Sequence, residues 1–149
     1  MTKNWVFALA IGALLMLPQT IHAASPTAGK GLAPGGTITY TPEIHEKVKS
    51  SKQPYILDFY ATWCGTCRAQ ARAIEKLRHK YADFNSITVL KVNWDAYRTE
   101  PVARDLKIPR RSTLVLLSGE DEIDRIVAST RSRDIKNLFD QGLARLASQ

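Results

Sequence analysis

Cysteine is nearly absent from this chain of 149 residues: Cys64 and Cys67 are the only two. So small a number leaves no framework of structural bridges of the kind that holds small exported domains together. Histidine is scarce as well, with three in all. His45 and His79, the two beyond the N-terminal apolar segment, stand far apart with no ligand spacing, so a zinc site at the cysteines would lack two recognisable partners. The single apolar run, Val6 to Leu17, is too short to span a bilayer comfortably, and no cysteine follows it to carry a lipid. Internal repeats are missing. The net charge is +7, but no recognition motif accompanies it, and no nucleic-acid partner is expected.

The N-terminus reads as a targeting segment. Lys3 precedes the apolar run, Pro18 breaks it, and Ile21-His22-Ala23 offers a cleavage site before Ala24. Residues 1–23 are therefore expected to be a secretory signal peptide, giving a periplasmic or secreted protein; an uncleaved anchor is the competing reading. Residues 24–36 are rich in Gly, Pro, Ser and Thr and read as a flexible leader. Residues 37–149 remain for one domain, enough chain to bury a core without staples.

The stretch Tyr55-Ile56-Leu57-Asp58-Phe59-Tyr60 is apolar, aromatic and branched, the composition of a buried strand. It breaks at Cys64-Gly65-Thr66-Cys67, after which Ala69, Ala71, Ala73, Ile74 and Leu77 continue as a helix. This puts Cys64 at a helix N-terminus, among unpaired N–H groups and the positive end of the dipole. Such an environment favours the thiolate, the attacking species. Cys67, one turn further in, is expected to be the more buried partner. A structural bridge over so short a loop would remove little unfolded-state entropy, so a redox couple is the reading preferred over a bridge or a zinc site. Asp58 is a single acid in an apolar strand, which is costly unless paired. Two readings of such an acid stay open: a structural ion pair, or a group that supports proton transfer.

The rest of the chain alternates. Ile38 to Tyr40 reads as a strand, and Thr41-Pro42-Glu43 opens a helix to about Val48 with an N-cap, a first-turn proline and an acid. Ile87 to Asn93 is a strand and Glu100 to Leu106 a short helix. Thr113 to Leu117 and Ile123 to Ala128 form a pair around Ser118-Gly119-Glu120-Asp121, and Ser132 caps a final amphipathic helix. The order implies an α/β fold, a mixed central sheet flanked by helices on both faces.

Leu57-Asp58-Phe59-Tyr60-Ala61-x-Trp63-Cys64-Gly65-x-Cys67-Arg68 resembles the active-site strand, loop and helix start of the thioredoxin superfamily, and the resemblance runs from about Ile38 to the C-terminus. It implies a thioredoxin fold and a protein-disulfide oxidoreductase in which Cys64 attacks and Cys67 resolves. It further implies that Asp58 and Lys91 manage protons and that Trp63, Gly65, Thr66, Arg111, Ser112 and Thr113 border the substrate. No organic cofactor and no metal is called for. Protein disulfides are the implied substrates, a membrane or periplasmic redox partner regenerates the pair, and a monomer is expected.

Two departures from the family stand out. Ile108-Pro109-Arg110-Arg111-Ser112-Thr113-Leu114 puts Ser112 where thioredoxins carry a cis-proline, and Ala128 stands where they usually have glycine. A cis bond before a non-proline residue costs about 2.5–4 kcal/mol, so a trans peptide or a rearranged loop is expected. Arg68, Arg72, Arg110 and Arg111 are expected to give the active-site edge a positive field that attracts acidic partners. Two other classes stay open: a metal- or iron-sulfur-binding module using the two thiols, and a non-catalytic binding module.

Overall fold

Residues 35–149, the part of the chain described by the computed structural model, form five strands and five helices. In order these are β1 (Thr37–Thr39), α1 (Pro42–Ser50), β2 (Pro54–Tyr60) and α2 (Gly65–Lys80), then a 3-10 helix (Ala82–Ser86) and β3 (Thr88–Asn93). They continue with α3 (Trp94–Tyr97), α4 (Pro101–Arg104), β4 (Thr113–Ser118), β5 (Asp121–Val127) and α5 (Ser132–Ala147). The expected signal peptide and the leader up to residue 34 lie outside the described residues. At the start of the described residues, Gly35 N–H donates to Thr88 Oγ1 at 3.1 Å, while Gly36 O accepts from Val89 N at 2.9 Å.

The sheet runs β1-β3-β2-β4-β5, with β1, β3 and β2 parallel and β4 and β5 antiparallel. This is the expected mixed sheet. Central β2 is buried from Pro54 to Phe59 because helices cover both of its faces. Strand alternation divides its side chains. Ile56 packs with Ile74, Leu77, Leu116, Ile135, Leu138 and Phe139 under α2 and α5. Tyr55, Leu57 and Phe59 face the other layer, with Val48, Tyr97 and Val102 from α1, α3 and α4.

Local chemistry sets the ends of the elements. Thr41 caps α1 through its hydroxyl, which accepts from Ile44 N at 3.2 Å, and Pro42 takes the first turn. The final helix starts one residue off the expected place: Arg131 is its N-cap and Ser132 is its first helical residue. The 3-10 helix and α3 are additions to the sequence reading. Asn93 starts α3 by accepting from Asp95 N at 3.0 Å.

Across the α2–α5 layer, Phe84 and Phe139 stack with centroids 4.9 Å apart, both almost wholly buried. Phe139→Ala is expected to cost about 3–5 kcal/mol in a chemical-denaturation experiment, through lost burial and the cavity left behind. A loss below about 1 kcal/mol would show that this layer repacks freely.

Candidate redox-active site

The central strand β2 ends at Tyr60, and a short turn delivers Cys64 as the N-cap of α2. Its sulfur fills the capping role of a side-chain oxygen, accepting from Cys67 N at 3.1 Å. Cys64 and Cys67 are disulfide-bonded, with Cα atoms 5.3 Å apart. Cys67 is the more buried of the two, as expected, but only marginally, at 3% exposure against 4% for Cys64. What separates them is electrostatics: Cys64 sulfur takes the helix's N-terminal N–H, and a thiolate formed there is held by that bond and by the dipole.

Gly65 is exposed and Thr66 half-buried on the first turn of α2. Trp63 is 56% exposed, the most open large hydrophobic side chain among the described residues. It is nonetheless held in place. Its Nε1–H donates to Asp95 Oδ2 at 2.9 Å, and the Arg111 guanidinium lies 4.1 Å from its ring centroid. Arg68 turns back to donate to Thr62 O at 3.0 Å. Arg68 and Arg111 therefore brace the rim of the site, while Arg72 and Arg110 are simply exposed. Val127, 42% exposed, stands opposite Thr113 in the β4–β5 register and adds a second apolar side chain at this end of the sheet.

The segment before β4 closes over the sulfurs. All described peptide bonds are trans, and Ser112 takes a left-handed φ of +61°. Its N–H donates to Phe59 O at 2.7 Å, and its carbonyl accepts from Ala128 N at 2.8 Å. Ala128 is itself left-handed, at φ +58°, so the position at which the resemblance leads one to expect glycine keeps a glycine-like conformation with an alanine in it. Ser112 Oγ sits 3.2 Å from Cys64 Sγ and 3.0 Å from Cys67 Sγ. Thr113 does not reach the rim: it is fully buried, and its hydroxyl donates to Arg110 O at 2.7 Å.

Asp58 follows Ile56 on the face of β2 that α2 covers, 1% exposed. Its register partner Lys91 donates to Oδ2 at 2.7 Å, and that ammonium also lies 4.2 Å from the Tyr60 ring centroid. Asp58 Oδ1 has no partner among the described residues. Both side chains line a cavity of about 550 Å³ beneath α2, together with Ala71, Ile74, Glu75 and Arg78. Burial pushes the Asp58 carboxyl above its ordinary value of 3.8, and Lys91 opposes that rise without cancelling it.

Two side chains outside the sequence-level candidates also shape the site. Gln70 is fully buried on α2, and its Nε2 donates to Ser112 O at 3.2 Å and Ser129 O at 2.9 Å, tying the helix to the loop. A polar residue on the otherwise apolar face Cys67–Ala73–Ile74–Leu77 was the available signal. Asp95 fixes Trp63, and only the tertiary fold reveals it. The histidines lie elsewhere: His45 Nε2 is 3.1 Å from Tyr55 OH on the far layer, and His79 is exposed near the end of α2. No cluster of three or more His, Cys, Asp or Glu side chains suited to a metal occurs among the described residues.

The raised Asp58 value carries a stability consequence with a definite sign. The folded state binds this proton more tightly than the unfolded chain, so the contribution is complete below 3.8 and is lost as pH rises through the folded-state value. Asp58→Asn is expected to flatten the fall in unfolding free energy over that window, measured by denaturant titrations at a series of pH values. An unchanged difference between wild type and variant at every pH would show that the carboxyl titrates normally.

The thioredoxin family model matches residues 37–141. A thioredoxin of Griffithsia pacifica is 32% identical over 100 residues, covering 67% of this chain and 88% of that protein. Thioredoxin 1 of Synechococcus elongatus is 30% identical over 98 residues, covering 66% and 88%. Among solved structures, Trxlp from Edwardsiella tarda EIB202 superposes with a TM-score of 0.62 at 23% identity, covering 70% of this chain and 98% of that one.

Proposed function

We propose, from the premise that the chain belongs to the thioredoxin family and is a disulfide oxidoreductase, that it is an exported reductase of protein disulfides working through Cys64 and Cys67. The observation that carries the reading is the N-cap placement of Cys64, within bonding reach of a second, covered cysteine.

In the dithiol form, the Cys64 thiolate attacks one sulfur of a substrate disulfide. A mixed disulfide forms and the substrate's other sulfur leaves as a thiolate. Cys67 then loses its proton and attacks Cys64 Sγ, closing the bridge and releasing the second substrate thiolate. Two electrons pass from the pair to the substrate. Asp58 supports the second step: its raised proton affinity is the direction a base needs if it is to accept a thiol proton. Lys91 keeps that carboxylate from becoming an unpaired buried charge. Exposed Trp63 and Val127 offer apolar contact for an unfolded or flexible segment around the substrate cystine. Arg111 and Arg68 favour acidic flanks. A membrane or periplasmic dithiol partner returns two electrons and reopens the bridge. The protein acts as a monomer.

Insulin reduction with dithiothreitol as electron donor tests the activity. Wild type is expected to accelerate it, and Asp58→Asn to lose roughly tenfold or more in turnover near neutral pH, with partial recovery at higher pH. Wild-type kinetics in that variant would make Asp58 purely structural, and no acceleration by wild type would leave a binding module.

Nucleophile order and export have separate readouts. Cys67→Ser is expected to accumulate mixed disulfides through Cys64; better trapping by Cys64→Ser would reverse the assignment. Expressed in a Gram-negative host, the chain is expected to be recovered from the periplasm beginning at Ala24. Full-length protein confined to the cytoplasm would overturn the export reading.

A further inference from the structure

We propose that the Ser112 hydroxyl is a catalytic hydrogen-bond donor that serves the two sulfurs in turn, stabilising whichever of Cys64 and Cys67 carries the thiolate. The proposal deepens the redox reading above and rests on it.

Three observations lead here. First, the position is over-determined. Ser112 is fully buried, its N–H is bonded to β2, and its carbonyl is bonded both to Ala128 beyond β5 and to Gln70 of α2. Second, the backbone is left-handed at a residue that is not glycine, a conformation that persists only where its surroundings impose it. Third, among the described residues the side chain held in that way has only sulfur as partner: Oγ lies 3.2 Å from Cys64 Sγ and 3.0 Å from Cys67 Sγ.

A hydroxyl carries one proton, and rotation about its Cβ–Oγ bond can aim it at either neighbour without moving a heavy atom. Disulfide sulfur is a weak acceptor, so in the oxidised protein this donor is poorly satisfied. A thiolate is a full negative charge, and hydrogen bonds to ionised groups are roughly twice as strong as neutral ones. The benefit therefore appears on reduction. When the regenerating thiolate attacks Cys64 Sγ, the S–S bond breaks and its electron pair leaves on Cys67 Sγ, where the hydroxyl is already 3.0 Å away. Cys67 then takes up a proton, the reverse of its loss in the reducing direction. The partner's second thiolate attacks the partner's own sulfur in the mixed disulfide, leaving as a disulfide and expelling Cys64 as the thiolate. The hydroxyl proton of Ser112 swings to Cys64 and joins the Cys67 N–H already bonded there. The hydroxyl itself is neither oxidised nor deprotonated.

Ser112→Ala and Ser112→Gly form the test, compared with wild type. Alanine removes the hydroxyl and keeps the backbone cost, whereas glycine removes the hydroxyl and relieves that cost. Neither substitution alters the charged groups of the site: Arg68 on α2, Arg111 before β4, Asp58 on β2, Lys91 on β3 and Asp95 on α3. The expected result is the same in both variants. The midpoint of the pH profile for Cys64 alkylation rises by about one unit, a tenfold fall in thiolate fraction at lower pH. The oxidised form is favoured about tenfold more strongly against glutathione, equal to about 30 mV toward a more reducing couple.

Wild-type profiles and glutathione equilibria in both variants would overturn the proposal. So would a change seen in Ser112→Gly alone, because that change would trace to the backbone rather than the hydroxyl. The alkylation profile needs no protein substrate. It therefore judges Ser112 independently of the insulin assay, and a protein that fails to reduce insulin can still support or overturn the role of the hydroxyl.

Discussion

The pairing of β2 with β4 fixes the working end of the molecule. Its register sets Asp58 opposite Leu114 and Phe59 opposite Thr113, and the ladder extends one residue further when Ser112 N–H donates to Phe59 O. Because β2 also runs directly into the turn that carries Cys64, one strand pairing holds both the sulfurs and the loop that closes on them. A slip by one residue would turn every side chain of β4 to the other face. The two apolar layers prevent that slip: Leu114 and Leu116 belong to the α2–α5 side, Val115 and Leu117 to the α1 side. The hydrophobic core thus places the site as well as stabilising the fold.

Within that frame the polar groups divide the work. The helix terminus supplies an N–H to Cys64, the loop supplies a hydroxyl to both sulfurs, and the strand below supplies a carboxyl whose burial raises its proton affinity. Lys91 lets that carboxyl stay in an apolar strand. Removing Lys91 would leave the Asp58 carboxylate buried without its counter-charge, so the pair has structural weight whatever its part in the chemistry. Gln70 and Ala128 both bond the Ser112 carbonyl and so position its side chain.

Much of this was legible in the sequence because it is local or periodic. The apolar run of β2, the break at Cys64-Gly65-Thr66-Cys67 and the amphipathic face of α2 together dictate a strand, a helix start and a thiol at its N-terminus. Asp58 was visible as a lone acid, while Lys91 came only through the resemblance to the family. What stayed hidden depends on conformations that residue identity does not announce. Nothing in Ser112 or Ala128 signals a positive φ, yet that backbone is what brings the Ser112 hydroxyl to the sulfurs. Helix α3 has four residues, too few for periodicity, so Asp95 and its bond to Trp63 appear only in the folded chain. The near-equal burial of the two cysteines follows from the same loop, which covers both.

The account stands on Cys64 and Cys67 being a reversible couple in a fold that survives both redox states. Equilibrating the wild-type protein in graded glutathione buffers, with alkylation to count free thiols and circular dichroism to follow the fold, measures that directly. The account predicts one two-electron transition at a potential above about −300 mV, the range below which structural disulfides resist the glutathione pool. It also predicts an unchanged fold on both sides of that transition. A bridge that stays closed throughout, or opens only as the protein unfolds, would make the pair a structural staple and contradict the account.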